Sequence, residues 1–507
     1  MSAPDRRTFL LGGAVTVGAV VAAPWAARAA TLAYPFALGV ASGDPAPDGF
    51  VLWTRLAPAP LNADGHGGMP DTLVAVAWQV ASDEAFTQIV RSGTAVADYT
   101  SAHSVHVEVT GLASNAWYFY RFITGGQVSP VGRARTAPAT TDTTTPLTML
   151  TASCAHYESG FYTVYRRMAE ENPDLIVFLG DYIYEDPATS GSVRLHVPAQ
   201  EAATLADYRV RHAQYRTDPD LQAAHAAAPW IPVWDDHEVE NNYANLTRSD
   251  SSPAGDFVAR RAAAYQAYYE HMPLRTAQKP VDERMQLYRR LGWGQVATFH
   301  MLDTRQYRDP QACGGGVQVC SDALLAQRTI LGLEQESWLL NGLAQHLAAW
   351  DIIGQQVFFT RRFIGTNGAT SMDAWDGYVA NRDRVQQGWV ARGVHSPVVL
   401  SGDVHRAYAA NVMLNYDTQD QVIGTELVTS SVSSDGDGDP NDTSGLSSLN
   451  PHISFYKNLR GYIRSTMDTA QMAVDFRAVD SVTTQGAPVQ TVQQYVIEAG
   501  NPGLQAP

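Results

Sequence analysis

The chain has 507 residues, 45% of them hydrophobic and 17% charged, an ordinary globular composition too long for one small core. Fifty-one acidic against 35 basic side chains leave a net charge of -16 and no basic patch, which excludes nucleic acid as a partner. An acidic protein still binds phosphate when metal ions reverse the local sign.

At the N-terminus, Asp5-Arg6-Arg7-Thr8-Phe9-Leu10 precedes an apolar run to Ala23, and Ala27-Arg28-Ala29 fits an A-x-A cleavage site. Paired arginines before Phe-Leu mark a twin-arginine (Tat) signal. Residues 1–29 are expected to be removed, and the protein to be exported by the Tat machinery as a secreted, periplasmic or extracellular protein. The apolar run is shorter than the ~20 residues a membrane span needs, which disfavours an anchor.

From Phe36 the pattern is β, with strands predicted over 50–56, 73–80, 103–112 and 117–123 and turn residues between them at sandwich spacing. Residues 31–140 are read as an N-terminal β-sandwich domain. Its segment 117–122 resembles the late strands of a fibronectin type III or immunoglobulin-like domain. The Thr/Pro-rich stretch 137–146 is read as a linker.

From Leu147 strands alternate with helical patterns over 159–171, 202–215, 257–271 and 334–347, which predicts an α/β catalytic domain over 147–475. Residues 430–442 read as a solvated loop. Residues 476–507 form a C-terminal extension, polar and expected to be loosely held after about Tyr495.

Five apolar runs of this domain end in polar clusters. Residues 175–179 end in Gly180-Asp181 with Tyr184 close behind. Residues 147–152 end in Ser153-Cys154-Ala155-His156. Residues 231–234 end in Asp235-Asp236-His237-Glu238. Residues 296–302 end in Asp303-Thr304-Arg305, and 398–400 end in Ser401-Gly402-Asp403-Val404-His405. Ligand sites of α/β sheets gather at such carboxyl ends. If the five strands share one sheet, its edge carries Cys154, Asp181, Tyr184, Asp236, His237, Asp403 and His405, the outline of a polynuclear metal site. Among the three cysteines, Cys313 and Cys320 flank Gly314-Gly315-Gly316 and are spaced to close a small loop disulfide. Cys154 is left as either a buried thiol or a thiolate ligand for iron or zinc.

With SCAHY at 153–157, GDYIYE at 180–185, WDDHEVENN at 234–242, LDTRQYR at 302–308, MDAWDGY at 372–378, SGDVH at 401–405, NPHISF at 450–455 and RGY at 460–462, the chain resembles the PhoD-type alkaline phosphatases, a branch of the metallophosphoesterases. The resemblance reaches from the leader and FALGVASGDP at 36–45 across nearly the whole chain. It implies a four-layer α/β/β/α metallophosphoesterase sandwich behind the β domain. It also implies Fe3+ held by Cys154, Asp181, Tyr184 and His405, and Ca2+ held by Asp236, Asp403 and Asn242, with Asp181 bridging. Asn241 and Asn242 are not separable as ligands. Thiolate and phenolate favour ferric iron, and carboxylates favour calcium. Gly402-Asp403-Val404-His405 stands where related enzymes have Gly-His-x-His, which moves the site from zinc or manganese toward calcium.

His237 is expected to donate to a phosphate oxygen or leaving group. Arg305 is expected to contact phosphate bidentately or else to pair with Asp303. Asp235, His156, Asp376 and His452 rank below these, Asp235 because adjacent carboxylates seldom face one ion.

The function expected is a secreted metal-dependent phosphoesterase acting on phosphomonoesters or phosphodiesters. In-line attack by a metal-bridging oxide or hydroxide would release phosphate without a phosphoenzyme. By resemblance the substrates extend to teichoic acid and phospholipid. The alternatives are a phospholipase D-like phosphodiesterase and, in another class, a cell-wall-binding protein with a structural metal site.

Overall fold

The computed structural model describes residues 33–248 and 257–507, so the leader expected over residues 1–29 lies outside the described residues. No helix among the described residues is long and apolar enough to cross a membrane.

Three parallel neighbours, Leu147–Ala152, Leu175–Leu179 and Trp230–Val233, occupy the middle of a ten-stranded sheet. Leu150 pairs with Ile176, and Ile176 with Trp230. Nearly every residue of the three is buried, as continuous apolar runs require when both faces are covered. A second sheet of eight strands contains Ala297–Met301, Trp350–Gly354 and Pro397–Ser401, again parallel. The condition that the five strands share one sheet is not met. Three belong to the first sheet and two to the second. The two sheets are joined near those clusters by a parallel bridge, Ser153↔Ser431. Leu150, Val177 and Leu179 of the first sheet and Phe299, Ile352 and Leu400 of the second lie in one apolar cluster.

The helices Thr163–Glu170, Leu205–Arg216, Pro219–Ala227 and Phe257–His271 contribute to that same cluster. Gly332–Leu343 and Val379–Ala391 instead form a cluster with Ile353, Val399 and Val412. Leu205–Arg216 starts later than the pattern predicts because Thr204 and Asp207 close a capping box. The Asp207 N–H donates to the Thr204 hydroxyl, and the Asp207 carboxylate accepts the Thr204 N–H.

The N-terminal residues are all-β, with an apolar core of Val40, Phe50, Leu52, Val76, Val80, Tyr120 and Phe122. They are not a detached unit. Strands Val40–Ala46, Gly49–Arg55 and Ser104–Val109 extend the ten-stranded sheet, through Gly43↔Trp230. Gly43 is required there, because a Cβ would lie 2.3 Å from the Pro273 carbonyl oxygen and 2.9 Å from that of Trp230. The stretch read as a linker is a structured turn. Asp142 accepts the N–H groups of Thr144 and Thr145, and its carbonyl accepts that of Gln295.

The C-terminal extension also departs from expectation. Gln471–Val479, Val489–Glu498 and Asn501–Gln505 complete the far side of the ten-stranded sheet. Alternating polar residues on an exposed face made this segment read as tail. Cys313 and Cys320 form a disulfide. Val317–Gln318 inside that loop pairs with Thr370–Ser371.

Candidate metal centre

Each polar cluster sits immediately beyond its strand. Cys154 follows Leu147–Ala152, Asp181 follows Leu175–Leu179, Asp235 and Asp236 follow Trp230–Val233, Arg305 follows Ala297–Met301, and Asp403 and His405 follow Pro397–Ser401. The backbone turns sharply at these points. Cys154, Asp181, Asn242, Asp403 and His405 all have φ between 54° and 64°, the left-handed region that ordinary side chains avoid. Such conformations cost on the order of 1–3 kcal/mol each and persist where the surroundings over-determine them, often at functional sites. Gly180 has φ 104°, and a Cβ there would lie 2.4 Å from that of Asp235, so only glycine lets the two strand ends meet.

One group of donors gathers on Asp181. Cys154, Asp181 and His405 each present a ligand atom within 4.8 Å of the others. The Tyr184 hydroxyl donates to Asp181 Oδ2 at 2.9 Å and lies 3.0 Å from His405 Nε2. His405 Nε2 is 3.9 Å from the same Asp181 oxygen. A second group, Asp181, Asp236 and His237, meets the same criterion. Asp181 thus belongs to both. Its Oδ1 is buried without a hydrogen-bond partner, and Asp236 Oδ1 has only Arg305 Nη2, at 3.5 Å. Orphaned buried carboxylate oxygens are costly unless a cation completes them. Thiol, phenol, imidazole and two carboxylates therefore fit a site for metal ions.

The electrostatics follow from burial and crowding. Burial is the largest influence on Asp181 and pushes it up, but His237 and His405 overcome it and hold its carboxyl well below the usual range. Burial, then Asp181, pushes the Cys154 thiol and the Tyr184 phenol far up. Both keep their protons until a cation displaces them. Asp403 is pushed up to about 7 by burial and by Asp373. Burial opposes the charge on His237, yet Glu185, Asp236 and Asp181 raise it well above an ordinary imidazole. His237 Nδ1 is 2.7 Å from Glu185 Oε2, and its ring lies 4.1 Å from that of Tyr184, with 14% of the side chain exposed.

Asn242 reaches the cluster through its backbone, whose N–H donates to Asp236 Oδ2 at 2.6 Å, while Asn241 donates its N–H to Glu185. Arg305 differs most from its expected role. It has no exposed surface. Its Nε donates to Asp235 and its Nη1 to Asp373 at 2.8 Å, and Nη2 is 3.5 Å from both Asp236 and Asp403. Nε and Nη1 are spent on carboxylates, while Nη2, buried beside Asp236 and Asp403, has no hydrogen-bond partner. Asp303, its alternative partner, accepts only its backbone N–H. Asp235 pairs through Oδ1 with Arg305, and its Oδ2 is buried without a hydrogen-bond partner.

Several residues escaped the sequence reading. Ser434 Oγ lies 2.7 Å from the Tyr184 hydroxyl and donates to the Cys154 carbonyl. Asp435 Oδ2 lies 3.3 Å from His405 Nδ1. Glu238 accepts the N–H groups of Asp181, Tyr182 and Asp235, tying two strand ends together. Asp373 was in reach, since it lies within the motif at 372–378. Ser434 and Asp435 carried no signal, because their loop reads as solvated.

The sequence comparisons agree with this geometry. A family model described as PhoD-like phosphatase matches residues 149–476, and one described as PhoD-like phosphatase, N-terminal domain, matches residues 21–138. Alkaline phosphatase D of Bacillus subtilis (strain 168) is 47% identical over 520 residues, covering 99% of this chain and 88% of that protein. A solved structure of PhoD superposes with a TM-score of 0.90 at 48% identity, covering 93% of this chain and 92% of that one. The chain belongs to the PhoD-like phosphatase family and is a hydrolase of phosphoric ester bonds.

Proposed function

We propose that this phosphoesterase is metal-dependent, with Fe3+ held by Cys154, Asp181, Tyr184 and His405 and Ca2+ held by Asp236, Asp403 and the Asn242 segment. The observation that carries the reading is the buried, unpartnered Oδ1 of Asp181, the carboxylate common to both donor groups. When bound, the ions would neutralise charge on the phosphate oxygens as Lewis acids. The chain's own contribution is to orient and to hold protons. Glu185 fixes the His237 ring and keeps it charged, so His237 donates to a phosphate oxygen or to the departing alkoxide. Asp435 and Ser434 fix His405 and Tyr184 in place. Arg305 binds the surrounding carboxylates so that they do not repel an anionic substrate.

The substrates are phosphomonoesters and phosphodiesters, teichoic acid among them, and residues 1–29 direct Tat export to the cell exterior. The two halves are best assigned as 31–140 and 147–475, with 476–507 an appendage in sequence but not in fold. An immunoglobulin-like N-terminal sandwich is supported by its strand order. Val40–Ala46, Gly49–Arg55 and Ser104–Val109 form one face, and Ile89–Ala97, Val74–Ala81, Trp117–Thr124 and Gly132–Arg135 form the other. The two helix groups on separate apolar clusters support a four-layer arrangement.

Metal analysis of the exported protein tests the reading, together with turnover of chromogenic mono- and diesters before and after calcium chelation. Iron, a visible charge-transfer band lost in Cys154→Ser or Tyr184→Phe, and calcium-dependent turnover are expected. Zinc alone, with no band and no calcium effect, would remove this ligand set, beginning with Cys154 and Tyr184.

A further inference from the structure

Beside the metal centre lies a cavity of about 400 Å3 lined by Arg362, Phe363, Val404, Arg406, Tyr408 and Tyr456, among others. Val404 is flanked in sequence by Asp403 and His405, so one wall of the cavity is the backbone that carries two residues of the centre. No acidic residue lines it, although the chain as a whole carries a charge of -16. The adjacent carboxylates are engaged. Asp435 faces His405 and Arg406, and Asp442 accepts from the Tyr456 hydroxyl.

Arg362 is built into position. Its guanidinium lies over the Phe358 ring, 4.5 Å from the centroid, and Nη1 donates to the Tyr408 hydroxyl at 3.1 Å. Its backbone N–H donates to Asp376 at 2.8 Å. The next residue, Phe363, exchanges both backbone hydrogen bonds with the Asn450 side chain, at 2.9 and 2.8 Å. The preceding carbonyl, of Arg361, lies 2.7 Å from His452 Nε2. The motif at 450–455, which the metal centre leaves unused, therefore clamps the cavity rim. Among the described residues no carboxylate forms an ion pair with Arg362, and one of its five donors is spent on Tyr408. A stacked, pre-oriented guanidinium with unspent donors is suited to bidentate capture of an oxyanion.

Resting on the phosphoesterase reading, we infer that this cavity is a specificity subsite. Arg362, supported by Arg406, binds a second anionic group, phosphate or carboxylate, on the leaving group of the ester. Phe363, Tyr408 and Tyr456 supply flat surface for the part of the substrate between the two charges.

The test compares kcat/KM for phenyl phosphate, 4-carboxyphenyl phosphate and 1,4-phenylene bisphosphate in the metal-loaded enzyme. The wild type is expected to prefer at least one doubly anionic substrate by about tenfold, as a charge-assisted contact gives. Preference for the carboxylate or for the bisphosphate alone identifies which oxyanion is read. Arg362→Met, which keeps the packing on Phe358, is expected to bring the ratio near unity, and Arg362→Lys to restore part of it. Wild-type ratios near unity overturn the subsite, as does a ratio that survives in Arg362→Met. If Arg362→Met does not fold, the wild-type ratios and their collapse at high salt decide instead. Failure of the wild type to release phosphate from any of the three, all monoesters, would count against the monoester half of the proposed function, a separate result.

Discussion

Replacing Arg305 by methionine should destabilise the metal-free protein by about 3–5 kcal/mol, the usual range for breaking a buried ion pair from one side. Its Nε and Nη1 donate to Asp235 and Asp373, and Nη2 stands 3.5 Å from Asp236 and Asp403. Two charge-assisted hydrogen bonds alone give about 3–6 kcal/mol. The higher values are not reached because the stranded carboxylates take up protons, and Asp403 already sits near pH 7. Urea unfolding with a calcium chelator present, at constant slope, measures the difference. Millimolar calcium should recover part of the loss, since a divalent cation satisfies the same oxygens. Arg305→Lys should fall between, because an ammonium keeps the charge and loses the fork. A urea midpoint unchanged in Arg305→Met under chelation would refute the view that this guanidinium neutralises the buried acids.

Glu185→Gln removes the carboxylate beside His237 and is expected to lower kcat about 10–100-fold while the bound-metal content holds; unchanged kcat would remove His237 from proton transfer. His212 is fully buried, stacked on His271, with neither ring nitrogen hydrogen-bonded, and burial lowers it to about 3. The unfolded chain therefore binds a proton that the folded chain refuses between pH 6.5 and about 3, so stability is full above that window and lost as pH falls through it. Near pH 4 this amounts to about 3 kcal/mol, and His212→Phe should flatten the acid limb of urea midpoint against pH; parallel curves would show that His212 contributes nothing. Cys313→Ser opens the loop paired to Thr370–Ser371, next to Asp373, and should lower kcat more than it lowers the unfolding midpoint. An equal kcat in the variant would show that the loop does not hold Asp373.

The candidate site was legible because each donor group lies at the end of an apolar strand, where composition and position coincide. Cys154, Asp181, Tyr184, Asp236 and His405 could be named in that way. Pairing between strands was not legible. Nothing in the runs before Asp181 and Asp403 distinguishes one sheet from two, and single apolar runs fit either. The carboxylate partners of Arg305 were not legible, because arginine's affinity for carboxylate and for phosphate is the same chemistry, and Asp235 and Asp373 reach it only through the fold. Ser434 and Asp435 act through a loop whose composition is that of solvated chain, and their neighbours are set by tertiary approach alone. The final strands were missed for the same reason that exposed sheet faces look like tails.

The continuity of the ten-stranded sheet governs when the molecule can be assembled. Its three central strands come from residues 147–233, but Leu147–Ala152 acquires its antiparallel neighbour only from Gly461–Met467. A nascent chain that has emerged to residue 300 holds one flank of that sheet, built from strands 40–55, and presents the other as a bare row of backbone donors and acceptors. Such an edge recruits other chains. The pairing that closes it spans most of the polypeptide, which makes it slow to find. Completion must therefore wait until residue 467 has emerged, and fragments that stop short of it would be adhesive.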